Sequence, residues 1–159
     1  MSDTQSLLGL LEAAGTPRVV IIGDLIIDRY VSGDVSRISP EAPIPVLAAK
    51  SSELRLGGAG NVAANLRAMD AVVEIVGIVG DDGHGRAMME LFDEFQIGRS
   101  GVIIDESRPT IEKTRMLSGV HQMIRVDWED ARPLDGGALE KALGALEASV
   151  EGADAVVLS

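Results

Sequence analysis

No cysteine occurs in the 159 residues, so the chain has neither a disulfide framework nor a thiolate metal site. A chain without cysteine suits a reducing compartment, and a cytoplasmic location is the expectation. Aromatic residues make up 3% of the sequence, with one Trp, one Tyr and two Phe. The core must therefore be aliphatic, and the stacking platforms that hold single-stranded nucleic acid are scarce. Basic residues are outnumbered: 14 Lys and Arg stand against 25 Asp and Glu, for a formal net charge of −11. Such an acidic surface repels nucleic acid and anionic membranes, so neither is expected as a partner. An anionic ligand would need a local cluster of Arg or Lys. No apolar run approaches the roughly 18 residues of a membrane span. The segment Met1 to Thr16 lacks the basic start and long apolar centre of a signal peptide.

Against these absences stand 46% apolar residues and a mean hydropathy of +0.20, enough to bury a core in one domain of ordinary size. Ser6 to Ala14 reads as a helix, broken by Gly15, Thr16 and Pro17. Val19 to Ile22 is a continuous apolar run, the mark of a strand buried on both faces. Ser32 to Pro45 reads as loop or edge structure, because Pro40, Pro43 and Pro45 exclude a helix. Short strands are expected at Val46 to Ala49, Glu53 to Leu56, Val72 to Val79 and Val102 to Ile104. Helices are expected to about Met69, with Val62, Leu66 and Met69 on one stripe, and over His84 to Phe95. Thr110 to Leu117 and Gln122 to Trp128 read as an antiparallel pair. Asp135 is placed to cap a helix with the stripe Leu139, Leu143, Leu146 and Val150, and Ala155 to Leu158 begins a strand.

This order is βαβαβ, which implies an α/β fold with a mostly parallel sheet flanked by helices. Two β-rich insertions, 33–56 and 109–129, are too polar for that sheet and are expected to pair with each other as a small lid. Their apolar face, with Ile111, Leu117, Ile124, Val126 and Trp128, needs cover, and a second copy of the chain would supply it by two-fold symmetry. A homodimer is therefore expected. Trp128 reads as a packed edge residue and the methionines as core.

The most informative run is Leu56-Gly57-Gly58-Ala59-Gly60-Asn61-Val62-Ala63. A glycine turn feeding a helix N-terminus presents unpaired N–H donors to hydroxyls or anions. Asp24 and Asp28, just beyond the first strand, lie where ligands of open α/β sheets bind. A carboxylate at Asp28 can accept two hydroxyls, which points to a sugar; Asp24 is a candidate for ligand contact or for bracing the turn. Gly57, Gly58 and Asn61 are the candidates on the turn. Lys113 and Arg115 alternate onto one strand face, and with Arg125 and Arg37 they are candidates for a phosphate on the sugar. Gln122 is a candidate for a sugar hydroxyl. Asp81, Asp82 and His84 read better as a helix cap than as a metal site, and no metal ligand set is assigned.

Several motifs in order now carry a resemblance. Val19-Val20-Ile21-Ile22-Gly23-Asp24-Leu25-Ile26-Ile27-Asp28-Arg29-Tyr30 resembles the first strand of ribokinase-like (PfkB group) sugar kinases. Gly57 to Ala63 resembles that family's N-terminal signature, and Val76 to Gly85 its strand and following G-D-D-x-x-G turn. Ser36 to Val46, Arg108 to Arg115 and Gln122 to Asp127 are similar to one branch, the heptose 7-phosphate kinases of ADP-heptose synthesis. The resemblance runs from about Leu8 to Ser159. It implies a ribokinase-like fold, ATP with Mg2+ as the complete enzyme's co-substrate, a phosphosugar substrate, and sugar binding by the Asp matching Asp28.

The sequence also departs from that family. Its second half, with the nucleotide pocket and the G-A-G-D motif that supplies the catalytic base and anion hole, is not found after Ser159. A truncated polypeptide is the expectation: the N-terminal, sugar-holding portion of one kinase domain, inactive by itself and binding ATP and Mg2+ poorly. Glu112 stands where the family more usually has Thr, which brings a negative charge near a phosphosugar unless the side chain points away. The rival expectations are a non-enzymatic dimerisation or sugar-binding remnant, and a different sugar kinase of the same group.

Overall fold

A computed structural model describes residues 3–159 of the chain. The helices are α1 (Asp3–Ala14), α2 (Gly58–Arg67), α3 (Gly83–Glu94) and α4 (Gly136–Val150). The strands are β1 (Arg18–Ile22), β2 (Leu25–Ile38), β3 (Pro45–Gly57), β4 (Val72–Gly80), β5 (Gly98–Asp105), β6 (Ile111–Ser118), β7 (His121–Trp128) and β8 (Ala155–Leu158).

The main sheet has the order β5-β4-β1-β8, and every pair is parallel. Its central strands β1 and β4 are buried on both faces, as parallel sheets require, whereas the edge strand β8 leaves Val156 and Leu158 exposed. Val19, Ile21, Val73 and Ile75 join Ala59 and Ala63 of α2 and Met88 and Phe92 of α3 in one buried core. Alternation turns Val20 and Val76, both fully buried, to the other face. There α4 packs so closely that a side chain on Gly101 would meet Val76 and Ser149. Asp135 caps α4 through Ala138 N–H at 2.7 Å, as its sequence predicts. Strand order reverses between β4 and β8 on either side of β1. The carboxyl end of β1 is thus the switch point of the sheet, the place where such folds bind ligands.

The second sheet has the order β3-β2-β6-β7, with β2–β3 and β6–β7 antiparallel and β2–β6 parallel. The two β-rich stretches share one sheet but meet at a single pair, Gly33 with Ser118: β6 pairs with β2 over Ile26–Gly33, so the first half of β2 lies between β3 and β6, and the strands are longer than the sequence suggests. The expected loop over Ser32 to Pro45 is mostly strand, because β2 runs on to Ile38 as the antiparallel partner of β3. Bulges at Ser32/Gly33 and Val35/Arg37 absorb its irregularity. Pro40 and Pro43 sit in the connection, and Pro45 opens β3, where a missing N–H is tolerated. The two short strands expected within 46–56 are one. The sheet begins at Leu25, which moves Asp28 off the end of β1 and into β2.

Three side-chain expectations are corrected. Met69 lies past the end of α2 and is 66% exposed, so it belongs to no core stripe. Trp128 is 62% exposed on the edge strand β7 rather than packed. Cross-strand register divides the expected apolar face: Glu112, Thr114 and Met116 stand opposite Trp128, Val126 and Ile124, so Ile111 points to the other side.

Candidate functional site

One face of the second sheet gathers the charged candidates. Asp28 stands opposite Arg55 on β3 and Lys113 on β6, and Tyr30 stands opposite Glu53 and Arg115. Across the β6–β7 hairpin, Lys113 faces Asp127 and Arg115 faces Arg125. Alternation alone puts these side chains on one surface.

The β3–α2 junction closes that surface beside Asp28. Gly57 is the N-cap of α2, in extended backbone and with no side-chain cap. Gly58 takes φ +51, and a Cβ there would lie 2.5 Å from the Asp24 carbonyl oxygen. That carbonyl accepts the Ala59 N–H at 3.0 Å, tying the start of α2 to the switch point of the main sheet. A Cβ on Gly57 would lie 2.8 Å from Asp28 Oδ2, so only glycine lets the carboxylate rest against the turn. Asn61 is exposed on the first turn of α2.

Every cation on this face already holds a carboxylate. Arg115 Nη1 donates to Asp28 Oδ1, with the two side chains 22% and 17% exposed. Lys113 Nζ lies 3.1 Å from both Asp127 and Glu129. Arg125 grips Asp127 at 2.8 Å, and Arg55 grips Glu53 at 2.8 Å. The hydrogen bond that Arg115 donates to Asp28 raises the Arg115 pKa against the opposing effect of burial. The bond that Lys113 donates to Asp127 does the same for Lys113. The Asp127 carboxyl is held below its ordinary value by Lys113 and then by Arg125. The guanidinium groups of Arg55 and Arg115 lie over the Tyr30 ring, at 4.9 and 5.4 Å from its centroid. Four carboxylates thus balance four cations on a face that sequence reading treats as a free cationic patch.

The structure therefore brings together Asp28, Gly57, Gly58, Lys113, Arg115 and Arg125, with Asn61 exposed on the first turn of the helix that Gly57 caps. It does not bring Arg37 there: that residue is exposed opposite Val46, nine positions along β2 from Asp28. At about 3.3 Å per residue this is about 30 Å away. Gln122 is exposed beside the β6–β7 turn, opposite Leu117. Asp24 serves through its backbone, and the residue lines a cleft of about 560 Å3 at the carboxyl edge of the main sheet, together with Gly23, Gly77, Arg108 and Arg132. Sequence reading missed Tyr30, Glu53, Arg55, Asp127 and Glu129. The signal for Tyr30 was its i, i+2 spacing from Asp28 on one strand; for the others it was the unread cross-strand register.

Glu112 points away from this face. It is 5% exposed, accepts from the Thr114 hydroxyl, and lies 3.1 Å from His84 Nδ1. Its charge is thereby kept off the Asp28 surface. Among the described residues no group of three or more His, Cys, Asp or Glu side chains is placed to hold a metal ion.

Asp82 fixes the geometry where the two sheets meet. Its Oδ1 caps α3 by accepting Gly85 N–H at 2.8 Å, and its Oδ2 accepts Thr110 N–H at 2.8 Å. Burial pulls its pKa up, but the Thr110 and Gly85 donors outweigh burial and hold it below the ordinary value. A depressed native pKa means stability that is fully present above the unfolded value of about 3.9 and lost as pH falls through the lower native value. Asp82→Ala is expected to cost about 1–2 kcal/mol near neutral pH. The gap from wild type should shrink in acid. Urea unfolding at neutral pH and near pH 3 checks both statements.

Comparison with known proteins places this geometry. The model of the pfkB family carbohydrate kinases matches residues 16–159. A protein named "Bifunctional protein HldE" from Caulobacter sp. (strain K31) is 46% identical over 159 residues, all of this chain and 32% of that protein. The protein of the same name from Caulobacter vibrioides is 46% identical over 141 residues, 89% of this chain and 29% of that protein. The chain thus spans about a third of the length of these curated relatives. Among solved structures, Arabidopsis thaliana ribokinase complexed with ribose and ATP aligns with a TM-score of 0.61 at 23% identity, covering 90% of this chain and 45% of that one. At that identity the likeness shows the fold, which is ribokinase-like.

Proposed function

We propose, from the premise that this chain belongs to the pfkB family of carbohydrate kinases, a phosphotransferase family, that it forms the sugar-holding part of a heptose 7-phosphate kinase. The reaction is transfer of the γ-phosphoryl group of ATP to the anomeric hydroxyl, in the supply of ADP-heptose for lipopolysaccharide, and its place is the cytoplasm. The carrying observation is the Asp28 carboxylate resting against Gly57 beside the uncapped N-terminus of α2. A carboxylate and a row of N–H donors can hold the hydroxyls of one ring between them. Lys113, Arg115 and Arg125 on the same face are the groups for the distal phosphate, Gln122 and Arg37 are outlying candidates, and Asp24 braces the turn.

Phosphoryl transfer rests on positioning and charge stabilisation. This chain's share is positioning: Asp28 and the α2 turn orient the ring. ATP with Mg2+ is the co-substrate that supplies the phosphoryl group. No metal ligand set is assigned to the described side chains, and the base and nucleotide contacts are not assigned to them either. The test is calorimetric titration of heptose 7-phosphate into the protein. Saturable binding supports the reading, and absence of binding removes it.

A second copy of the chain is the partner proposed for the other face of the second sheet. There Val31, Met116, Val126 and Trp128 line a groove of about 640 Å3, continued by Ile124 at 53% exposed. Edge-strand pairing through β8 is the competing route to self-association. Ile124→Asp is expected to convert a dimer to monomer, whereas Val157→Asp is expected to leave it intact. Light scattering on both variants decides: a dimer that survives Ile124→Asp removes this interface.

A further inference from the structure

We propose that Arg115 is the specificity-determining residue of the sugar site: it occupies the Asp28 carboxylate until an anionic group on the sugar draws it away. The inference rests on the reading of Asp28 as the sugar acceptor. It adds a reason why a phosphosugar, and not the bare sugar, is taken.

Asp28 Oδ2 lies beside the Gly57 turn without a hydrogen bond among the described residues, and Oδ1 accepts from Arg115 Nη1. A hydroxyl that approaches Oδ1 from the side the guanidinium fills must displace it. The pair is about four-fifths buried on each side, so water does little to replace what is lost. An unphosphorylated sugar would exchange a charge-assisted bond for one to a neutral donor and leave Arg115 unpaired. A phosphorylated sugar brings its own partner for the guanidinium, since a phosphate accepts the planar Arg fork through two parallel bonds.

The neighbours make Arg115 the mobile member. Lys113, Arg125 and Arg55 are held by Asp127, Glu129 and Glu53, and none of them contacts Asp28. Among the described residues Asp28 is the one carboxylate paired with Arg115. Its guanidinium also lies over the Tyr30 ring, a surface on which a flat cation can turn without losing contact. Asp127, gripped by Arg125 on the facing strand, adds a further attraction on the side away from Asp28.

The experiment is calorimetric titration of a heptose and of its 7-phosphate into wild type, Arg115→Met and Arg115→Lys, with thermal melting as the check on folding. In Arg115→Met the affinity for the 7-phosphate should fall by about tenfold or more. The affinity for the unphosphorylated heptose should rise, because Oδ1 is now free. Arg115→Lys keeps a charge but loses the fork, so its ratio of the two affinities should lie between the others. If Arg115→Met weakens both sugars by one factor, Arg115 merely braces the site and the proposal is overturned. If it changes neither, Arg115 does not face the ligand and the proposal is again overturned. Should Arg115→Met fail to melt cooperatively, Arg115→Lys carries the test, and an unchanged ratio overturns the proposal. Wild type that binds neither sugar removes the underlying reading. Wild type that binds the 7-phosphate, with both sugars lost in proportion in Arg115→Met, removes this inference alone.

Discussion

Asp28→Asn is expected to weaken binding of heptose 7-phosphate by roughly tenfold to a hundredfold, because a hydrogen bond to a charged acceptor is worth about 1.5–3 kcal/mol. The amide keeps one acceptor oxygen and the shape of the side chain, but it loses the charge that makes both hydroxyl contacts strong. Stability should fall as well, because the amide leaves the largely buried Arg115 guanidinium without its carboxylate, with the Tyr30 ring as its remaining contact. Calorimetry and thermal melting on the same preparations separate the two effects. Unchanged affinity would take Asp28 out of the site.

The second large effect is at the β3–α2 turn, where two adjacent glycines should fail in different ways. Gly58→Ala puts a Cβ on a residue at φ +51 and 2.5 Å from the Asp24 carbonyl oxygen. The left-handed conformation alone costs about 1–2 kcal/mol, and the clash is with backbone that also accepts the Ala59 N–H. Stability should fall by about 2 kcal/mol or more, and sugar affinity with it, because the start of α2 shifts. Gly57→Ala meets instead the far end of a flexible side chain, Asp28 Oδ2, at 2.8 Å. The carboxylate can swing aside, so this variant should stay folded yet bind sugar poorly. Denaturant unfolding together with sugar titration checks the contrast. Equal loss of stability in both variants would contradict the account of the turn.

The fold was legible wherever a residue's role was local. The apolar run at Val19 to Ile22, the cap at Asp135 and the breaks at Gly15 to Pro17 state their structure within a few positions. β2 was legible only in part. Its polar tail, from Ser32 to Ile38, has no apolar alternation because it is held by backbone pairing to β3 rather than by burial. That is a tertiary fact that periodicity cannot carry.

The site divided the same way. Asp28 and the glycine turn were readable because a carboxylate and three glycines are rare enough to be seen singly. The pairing of Lys113 with Asp127 and of Arg115 with Asp28 was not readable, since it depends on which strand lies beside which. A basic residue in a sequence is a free charge until its register is known. Glu112 shows the converse: its position suggested a repulsive charge at the sugar, and one step of alternation sends it to the opposite face, against His84.

The most direct test of the central claim is where the protein feels its ligand. Backbone amide shifts of the labelled protein should be followed by NMR as heptose 7-phosphate is added. The account predicts that the largest changes fall on Gly58 to Asn61 at the start of α2 and on Asp28, Lys113 and Arg115 across the second sheet. Changes confined to the Asp24–Arg108 cleft, or to the Val126–Trp128 groove on the opposite face, would contradict it.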